Sequence, residues 1–340
     1  MDSNILLIYT GGTVGMHKNP ETNALAPVNF EILKSDIPEL DLLDCNIEYL
    51  SFEKPIDSSE MNPERWVELA GMIADNYHSF DGFVILHGSD TMAYTASALS
   101  FLLENLGKPV ILTGSQLPLG ILRSDARENL MNSLEIASMI GSDGNALVQE
   151  VTVYFESRLY RGNRVFKNSS ENFEAFESYN YPVLAESGVN LKFNMTALSR
   201  LQNGVFMAHN KMTSKVAVIT LFPGITGAII NAVHEKGVKG IILQTYGSGN
   251  APYSDHLFEA IDEAIKSGIK IANISQCKAG TVVPGKYESG MMLKKLGVLN
   301  GKDMTLEAGI TKMMFMLTLR LSEKAFNKMY SESLKGELTN

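Results

Sequence analysis

The amino-acid sequence predicts an α/β protein with two domains, of which the larger is built on a doubly wound parallel sheet. Continuous apolar runs typical of buried parallel strands begin near residues 5, 83 and 110. Each run ends in a loop of small or hydroxylated residues and leads towards a stretch with helical apolar spacing. Beyond residue 214, three further strand-like runs alternate with helical stretches, which predicts a smaller parallel α/β domain.

The predicted domain boundaries are residues 1–190 for the N-terminal domain, 191–213 for a linker and 214–340 for the C-terminal domain. The linker contains few long apolar runs, which is typical of a connecting segment. A chain of 340 residues with 45% hydrophobic and 20% charged residues is long enough to bury two cores.

The first strand, Asn4 to Tyr9, runs into Thr10-Gly11-Gly12-Thr13. Adjacent glycines let the backbone turn sharply and approach a ligand, and ligands of open α/β sheets bind at the carboxyl ends of strands. A simple strand-to-loop turn explains an isolated glycine pair equally well. The residues from Val14 to Pro27 show no apolar period, and we expect a loop that serves as a lid.

The remaining elements of the N-terminal domain follow from apolar spacing and from cap signals. Asn62 before Pro63 predicts the start of a helix that extends to His78. The other predictions are strands at Ile47–Phe52, Gly82–Leu86 and Pro109–Leu112, helices at Met92–Asn105 and Ser124–Ile140, and a hairpin of Leu147–Phe155 and Arg164–Phe166 joined by Ser157–Asn163.

The C-terminal domain is predicted from the same signals. Its strands are expected at Lys215–Leu221, Gly240–Thr245 and Ile269–Ile274, and its helices at Thr226–Glu235, Asp255–Lys266, Met304–Leu321 and Glu323–Lys335.

Composition argues against several classes of protein. A formal net charge of −9 without a basic run argues against a nucleic-acid partner. Two cysteines are too few for a disulfide framework, and residues 1–9 lack the features of a signal peptide. No apolar run approaches the roughly 18 residues of a membrane span, so we expect a cytoplasmic protein. Metalloprotease, nucleotide and dinucleotide motifs do not occur, and neither a metal nor a cofactor is expected.

The residues left for chemistry are hydroxyls and one carboxylate at predicted strand ends: Thr13, Ser58, Ser89, Asp90 and Ser115. A threonine nucleophile needs a base, which a lysine can supply when its pKa is lowered. Lys167 follows the predicted hairpin, although its position alone favours a solvated surface lysine. His87 is better explained as a packed, hydrogen-bonded histidine, and Cys277 as a buried or effector-facing residue.

Several segments closely resemble the signatures of bacterial-type L-asparaginases of the cytoplasmic type I branch. The two strongest lie about 75 residues apart, and the resemblance runs through nearly the whole chain. The segments are Thr10-Gly11-Gly12-Thr13-Val14-Gly15-Met16, Asp57-Ser58-Ser59-Glu60-Met61, His87-Gly88-Ser89-Asp90-Thr91-Met92, Thr113-Gly114-Ser115-Gln116, Leu159-Tyr160-Arg161-Gly162-Asn163-Arg164, Tyr246-Gly247-Ser248-Gly249-Asn250-Ala251-Pro252 and Gly285-Lys286-Tyr287.

The resemblance implies hydrolysis of the side-chain amide of L-asparagine, a step of asparagine catabolism, through an acyl-threonine intermediate. It identifies Thr13 as the nucleophile and Ser89, Asp90 and Lys167 as the supporting triad. It places Ser58, with Ser59 beside it, on the substrate carboxylate. Backbone N–H groups near Ser89 and Ser115 would stabilise the oxyanion. It also implies a homo-oligomer, either a tetramer built as a dimer of dimers or a dimer.

Three departures from the family pattern stand out. Ser89 replaces the usual threonine and keeps the hydroxyl with a freer rotamer. Leu25 occupies the position of a lid tyrosine, with Ala24 no better, and the resemblance offers Tyr287 as an alternative phenol. An allosteric asparagine site in some relatives uses a cysteine and an arginine.

Here Cys277 and its neighbour Ser275 are present, whereas Gln244 replaces that arginine. We therefore expect little or no homotropic cooperativity. Two alternative functions stay open from the sequence: a glutaminase-asparaginase of broader specificity, and a non-catalytic amino-acid sensor on the same scaffold.

Overall fold

The structure is a computed structural model that describes residues 3–12, 16–18, 25–27, 30–200 and 204–339. At residues 16–18, 25–27 and 30 it describes the backbone alone. The chain forms two compact units, Met1–Asn210 and Lys211–Asn340. None of the helices in the described ranges is both long enough and apolar enough to cross a membrane.

The first unit is organised around one large sheet with helices on its faces. Its strands in the described residues are β1 (Ser3–Gly11), β2 (Met16–Lys18), β3 (Leu25–Pro27), β4 (Cys45–Ile56), β5 (Gly82–Leu86), β6 (Leu103–Glu104), β7 (Val110–Thr113), β8 (Val151–Phe155), β9 (Arg158–Arg161), β10 (Phe166–Lys167), β11 (Phe176–Glu177), β12 (Ala185–Ser187), β13 (Leu191–Phe193) and β14 (Met207–Ala208). Its helices there are α1 (Phe30–Asp36), α2 (Pro63–Asn76), α3 (Met92–Leu102) and α4 (Ala126–Ser138), with short 3₁₀ helices at Pro38–Leu42 and Ser58–Glu60.

The order of strands in the large sheet locates a crevice at its carboxyl edge. In the described part of the chain, the order is β13-β12-β9-β8-β7-β5-β1-β4, and the strands from β8 to β4 are parallel. After β1 the chain first adds β4 on one side and then β5, β7 and β8 on the other. The direction of winding therefore reverses between β1 and β5, which is where ligands bind in doubly wound sheets. This confirms the predicted fold class of the larger domain.

The central strands form because their apolar runs are buried on both faces of the sheet. Gly82–Leu86 and Val110–Thr113 are buried at every residue. Ile5, Leu7 and Tyr9 belong to one continuous core cluster of the first unit. The predicted cap of α2 is confirmed, since the Asn62 side chain accepts a hydrogen bond from the Arg65 amide at 3.1 Å.

The hairpin differs from its prediction. β8 and β9 pair antiparallel across a two-residue turn of Glu156 and Ser157, with φ of 46° and 62°. The segment predicted as the joining loop, Ser157–Asn163, thus contains all of β9. Two left-handed residues match the twist of a tight hairpin, but the sequence Glu-Ser lacks the usual Asn-Gly signal.

Several short strands also form where the sequence predicts irregular chain. The stretch from Val14 to Pro27, expected as a loop, includes β2 and β3, which pair antiparallel. Part of the predicted linker 191–213 also joins the first unit, because β13 pairs with β12 and β14 pairs with β6. The helix predicted to reach Asn105 ends at Leu102 for the same reason. Such short pairings depend on distant partners, and apolar periodicity over a few residues cannot reveal them.

The second unit contains a smaller parallel sheet, as predicted. In the described residues its order is β15-β16-β17-β18, with every pairing parallel. The strand Gly240–Thr245 and the helix Asp255–Lys266 have the predicted bounds. Its elements are β15 (Val216–Thr220), α5 (Ala228–Glu235), β16 (Gly240–Thr245), α6 (Asp255–Lys266), β17 (Lys270–Ser275), α7 (Glu288–Leu296), β18 (Leu299–Asn300), α8 (Leu306–Met316) and α9 (Glu323–Ser331).

Glycines let the loops after the first-unit strands pack backbone against backbone. A Cβ added to Gly12, where φ is +88°, would lie 2.4 Å from the Gly88 nitrogen. A Cβ on Gly88 would lie 2.6 Å from Ser58 Oγ, and one on Gly114 would lie 2.3 Å from the His87 carbonyl oxygen. Contacts this short leave no room for any side chain. The loops that border the crevice can therefore approach this closely only because these positions are glycines.

We expect Gly12→Ala to destabilise the protein by about 2–4 kcal/mol, because overpacking and a left-handed backbone both oppose the added methyl group. Urea unfolding measures this loss. Gly120→Ala is the matched control, since Gly120 has a φ of +86° and no atom within 4 Å of an added Cβ. The control should lose only about 1–2 kcal/mol, from backbone conformation alone. Equal losses in the two variants would contradict the steric argument.

Candidate active site

Buried threonine hydroxyls tie together the strand ends that border the crevice. The Thr10 hydroxyl donates to the Leu86 carbonyl at 3.0 Å, which joins the ends of β1 and β5. The Thr113 hydroxyl donates to the Tyr154 carbonyl at 2.9 Å, which joins the ends of β7 and β8. These hydroxyls are already used inside the sheet. The loops that follow the strands therefore carry the groups available for chemistry.

Three predicted site residues from two distant segments meet beside the crevice. The side-chain nitrogen of Lys167 donates to Ser89 Oγ at 2.8 Å and to Asp90 Oδ1 at 2.6 Å. Ser89 and Asp90 follow β5, whereas Lys167 lies in β10. The two segments are 77 and 78 residues apart in the chain. A hydroxyl, a carboxylate and an amine thus form one hydrogen-bonded group.

The Lys167 amine is held by its neighbours and not by deep burial of the ion pair. The side chain of Lys167 is 17% exposed, whereas that of Asp90 is 68% exposed. A pair with one exposed partner contributes at most about 1 kcal/mol to folding stability. Its consequence is geometric, because the carboxylate fixes the direction of the amine towards Ser89.

Ser58 is buried next to Gly88, and its carbonyl accepts a hydrogen bond from the Thr91 hydroxyl at 2.6 Å. Ser59 is exposed, and its amide donates to Asp57 Oδ1 at 2.8 Å. That hydrogen bond is the main cause of the lowered pKa of the Asp57 carboxyl. The segment after β4 therefore lies against the segment after β5, with the Ser58 side chain at their contact.

Ser115 and Gln116 follow β7 on the same edge of the sheet. The Ser115 hydroxyl donates to the Leu117 carbonyl at 2.6 Å, so it is engaged within its own turn. The side chain of Gln116 is directed to the reactive group, because its Oε1 accepts from the Ser89 hydroxyl at 3.3 Å. The carboxylate of Asp125 accepts from the backbone amides of Gln116 and Leu117 at 3.0–3.2 Å and fixes the turn.

His87 is a packed, hydrogen-bonded residue, as its position after β5 predicts. The side chain is fully buried, and burial lowers its pKa from 6.5 to about 4. Nδ1 donates to the Gly88 carbonyl at 2.7 Å, which leaves Nε2 to accept from the Thr95 hydroxyl at 2.9 Å. The Trp66 indole donates to the same hydroxyl at 3.0 Å. A neutral imidazole therefore supports the loop that carries Ser89.

Comparison with known proteins identifies the family. The model for the N-terminal asparaginase domain matches residues 4–199, and the model for the glutaminase/asparaginase C-terminal domain matches residues 215–330. The chain belongs to the asparaginase family. It is 41% identical to L-asparaginase 1 of Escherichia coli K12 over 339 residues, which cover 99% of this chain and 98% of that protein.

Two solved structures from this family are also similar over their full length. The crystal structure of L-asparaginase I from Vibrio cholerae has 39% identity and a TM-score of 0.90, with 100% of both chains covered. The thermostable L-asparaginase from Thermococcus kodakarensis has 31% identity and a TM-score of 0.90, with 99% of both chains covered.

Thr13 and Ala24 fall outside the described residues, as does the side chain of Leu25. Tyr287 belongs to the second unit, where it precedes α7, and the residue is 51% exposed. Lys286 places its ammonium 5.7 Å from the centre of the Tyr287 ring.

The three residues named for an allosteric site lie at or just beyond the carboxyl edge of the second-unit sheet. Gln244 is in β16 and Ser275 in β17, and their strands pair directly. Gln244 Oε1 accepts from the Thr220 hydroxyl at 2.7 Å. The Ser275 hydroxyl donates to the Gly247 carbonyl at 2.5 Å and accepts from the Cys277 amide at 3.0 Å. The Cys277 residue is exposed.

In the part of the chain that the structure describes, no group of three or more His, Cys, Asp or Glu residues is arranged to hold a metal ion. No spacing pattern in the sequence marks a separate role for Gln116 or for Asp125. Gln116 stands out in the sequence only as part of a segment that resembles the family. Asp125 acts through contacts to backbone amides, which no spacing pattern encodes.

We expect His87 to make the protein acid-sensitive. Because its folded pKa is about 4, the unfolded chain binds a proton first as the pH falls below about 6.5, and stability is lost down to about pH 4. Between pH 7 and pH 4.5 the loss from this residue is about 2–3 kcal/mol. Urea unfolding at the two pH values measures the decrease in the free energy of unfolding. We expect this decrease to be about 2–3 kcal/mol smaller in His87→Gln than in wild type.

The control for this measurement is His256→Gln on α6, where the His256 side chain is 91% exposed. This variant should keep the pH dependence of the wild type. An equal loss of stability in His87→Gln and wild type would show that burial of His87 does not govern the acid response.

Proposed function

We propose that the protein is an amidohydrolase that converts L-asparagine and water to aspartate and ammonia. The observation that carries this is the contact of the Lys167 amine with both Ser89 and Asp90 at the crevice of an asparaginase-family chain. The E. coli relative, 98% of which aligns with this chain, is named L-asparaginase 1. A hydroxyl, an amine and a carboxylate in this order form a proton relay of the kind that activates a nucleophile.

Thr13 is the proposed nucleophile, and its assignment depends on the family motif at the end of β1. Its hydroxyl oxygen forms a bond to the carbon of the substrate side-chain amide. The hydroxyl proton passes through Ser89 to the neutral amine of Lys167, and Asp90 stabilises the ammonium that results. The contacts of Lys167 with Ser89 and Asp90 support this route.

The tetrahedral intermediate then collapses. The bond from carbon to nitrogen breaks, Lys167 returns the proton to the nitrogen, and ammonia leaves an acyl-threonine ester. Water attacks this ester with the same relay as base and releases aspartate and free Thr13. Backbone N–H groups near Ser89 and Ser115 are proposed to stabilise the oxyanion of both steps.

Recognition of the substrate is proposed to depend on the segment after β4. Ser58 would hold the α-carboxylate, with Ser59 next to it. The burial of Ser58 against Gly88 supports this, because it puts a hydroxyl between two of the crevice loops. L-Glutamine has one more methylene, which a pocket rejects by only about 1–3 kcal/mol.

Regulation and assembly are proposed from the family resemblance. We propose a homo-oligomer, either a tetramer as a dimer of dimers or a dimer, in the cytoplasm. Large exposed apolar side chains support association, and in the second unit they include Phe222 and Tyr253 at 58% and 59% exposure. Gln244 lacks a guanidinium that could bind a second asparagine beside Ser275 and Cys277, so we propose weak or absent cooperativity.

We expect Thr13→Ala to lower ammonia release from L-asparagine by at least about 10³-fold, because removal of a nucleophile leaves only residual catalysis. Release from L-asparagine and L-glutamine should be measured across a range of concentrations for both proteins. A hyperbolic curve for the wild type agrees with weak cooperativity, and a sigmoidal curve contradicts it. If the wild type binds asparagine but releases no ammonia, the protein is an amino-acid sensor.

Tyr287 is proposed to supply the phenol that the lid lacks at Leu25. We expect Tyr287→Phe to lower kcat by about 10²-fold, in the range for loss of a group that transfers a proton. Tyr253→Phe is the matched control, because Tyr253 is also an exposed tyrosine of the second unit. Full activity of Tyr287→Phe would exclude this role.

A further inference from the structure

The Ser89 hydroxyl is held from two sides. Lys167 donates to its oxygen at 2.8 Å. The hydroxyl itself donates to Gln116 Oε1 at 3.3 Å. Gln116 is therefore, after Lys167, the second hydrogen-bond partner of the Ser89 hydroxyl, which the proposed reaction uses to relay a proton.

The Gln116 amide is oriented by a contact of its own. Its Nε2 donates to the Asn172 carbonyl at 2.9 Å, so the oxygen of the amide faces Ser89. Asn172 lies in the segment between β10 and β11, which follows Lys167 directly in the chain. One side chain thus joins the segments that carry Ser89 and Lys167.

The backbone of Gln116 is equally well fixed. Its amide donates to both oxygens of Asp125, at 3.0 and 3.1 Å. Asp125 also accepts from Asn129 at 3.2 Å, and Asn129 donates to the Gly114 carbonyl at 3.0 Å. The turn that presents Gln116 is therefore braced by the first residues of α4 and by the residue before them.

A serine needs such an anchor because it is not β-branched. Its χ1 angle has three staggered wells, and without outside contacts only about one third of the molecules would occupy the reactive one. Lys167 alone restrains this angle only in part, since its long side chain has several rotatable bonds.

We infer that Gln116 is a positioning residue for the proposed reaction. It keeps the Ser89 hydroxyl oxygen next to Lys167 by restraining the χ1 angle of Ser89, which a β-branched residue at this position would restrain through its own methyl group. This inference rests on the proposed function. It predicts that the need for Gln116 depends on which residue occupies position 89.

A double-mutant cycle tests this dependence through ammonia release from L-asparagine. Gln116→Met keeps the length of the side chain and removes both hydrogen bonds, and Ser89→Thr adds the restricting methyl group. With Ser89 present, we expect Gln116→Met to lower kcat about five- to tenfold, from the lost rotamer population and one lost hydrogen bond, with KM within about twofold. In the Ser89→Thr background, Gln116→Met should lower kcat by less than about twofold.

Asn132→Leu is the matched control. Asn132 is also an amide that accepts a serine hydroxyl, from Ser187 at 2.9 Å, and donates to a carbonyl, that of Glu128 at 2.9 Å. Its loss should alter thermal stability and leave kcat unchanged. Gln116→Glu is a second variant, which keeps an acceptor for Ser89 and should retain more activity than Gln116→Met.

The possible outcomes are distinct. An equal loss of kcat in the two backgrounds, or no loss with Ser89 present, would overturn the inference. If Gln116→Met does not fold, Gln116→Ala, which also removes both hydrogen bonds, is compared between the Ser89 and Ser89→Thr backgrounds, and equal losses of kcat would again overturn the inference. If the wild type itself releases no ammonia, the proposed function fails and the cycle has no reaction to report on.

Discussion

The close approach of the β1 and β5 loops is the constraint on which the candidate site depends. Gly12 and Gly88 pack so closely that a Cβ on Gly12 would overlap the Gly88 nitrogen. The left-handed φ of Gly12 also disfavours any residue with a side chain. This approach occurs where the winding of the sheet reverses, so the chain leaves a crevice there. Without the two glycines the loops would separate, and the segment ending in Ser89 would move away from the end of β1.

The reactive group is then assembled from side chains that have no common element. Ser89 and Asp90 come from the loop after β5, Lys167 comes from the short strand β10, and Gln116 comes from the loop after β7. Each is held by a different neighbour. The buried His87 fixes the carbonyl of Gly88, and Asp125 fixes the amide of Gln116.

Elements with long apolar runs or clear caps were predictable, because local signals and burial agree in them. Strand β16, helix α6 and the Asn62 cap belong to this class. The turn at Glu156 and Ser157 was not, since its left-handed backbone is imposed by the pairing of β8 with β9. The same holds for Gln116, whose role arises from contacts with Ser89 and Asn172.

The sequence by itself determined the fold class, the strand-end positions of the candidate hydroxyls and, through its motifs, the family. It left Lys167 as an ordinary surface lysine by position. Only the tertiary structure brought its amine to Ser89 and Asp90, over a separation of 77 to 78 residues. The physical reason is that apolar spacing reports which face of an element is buried, whereas the meeting of polar side chains depends on how strands are ordered and how their loops pack.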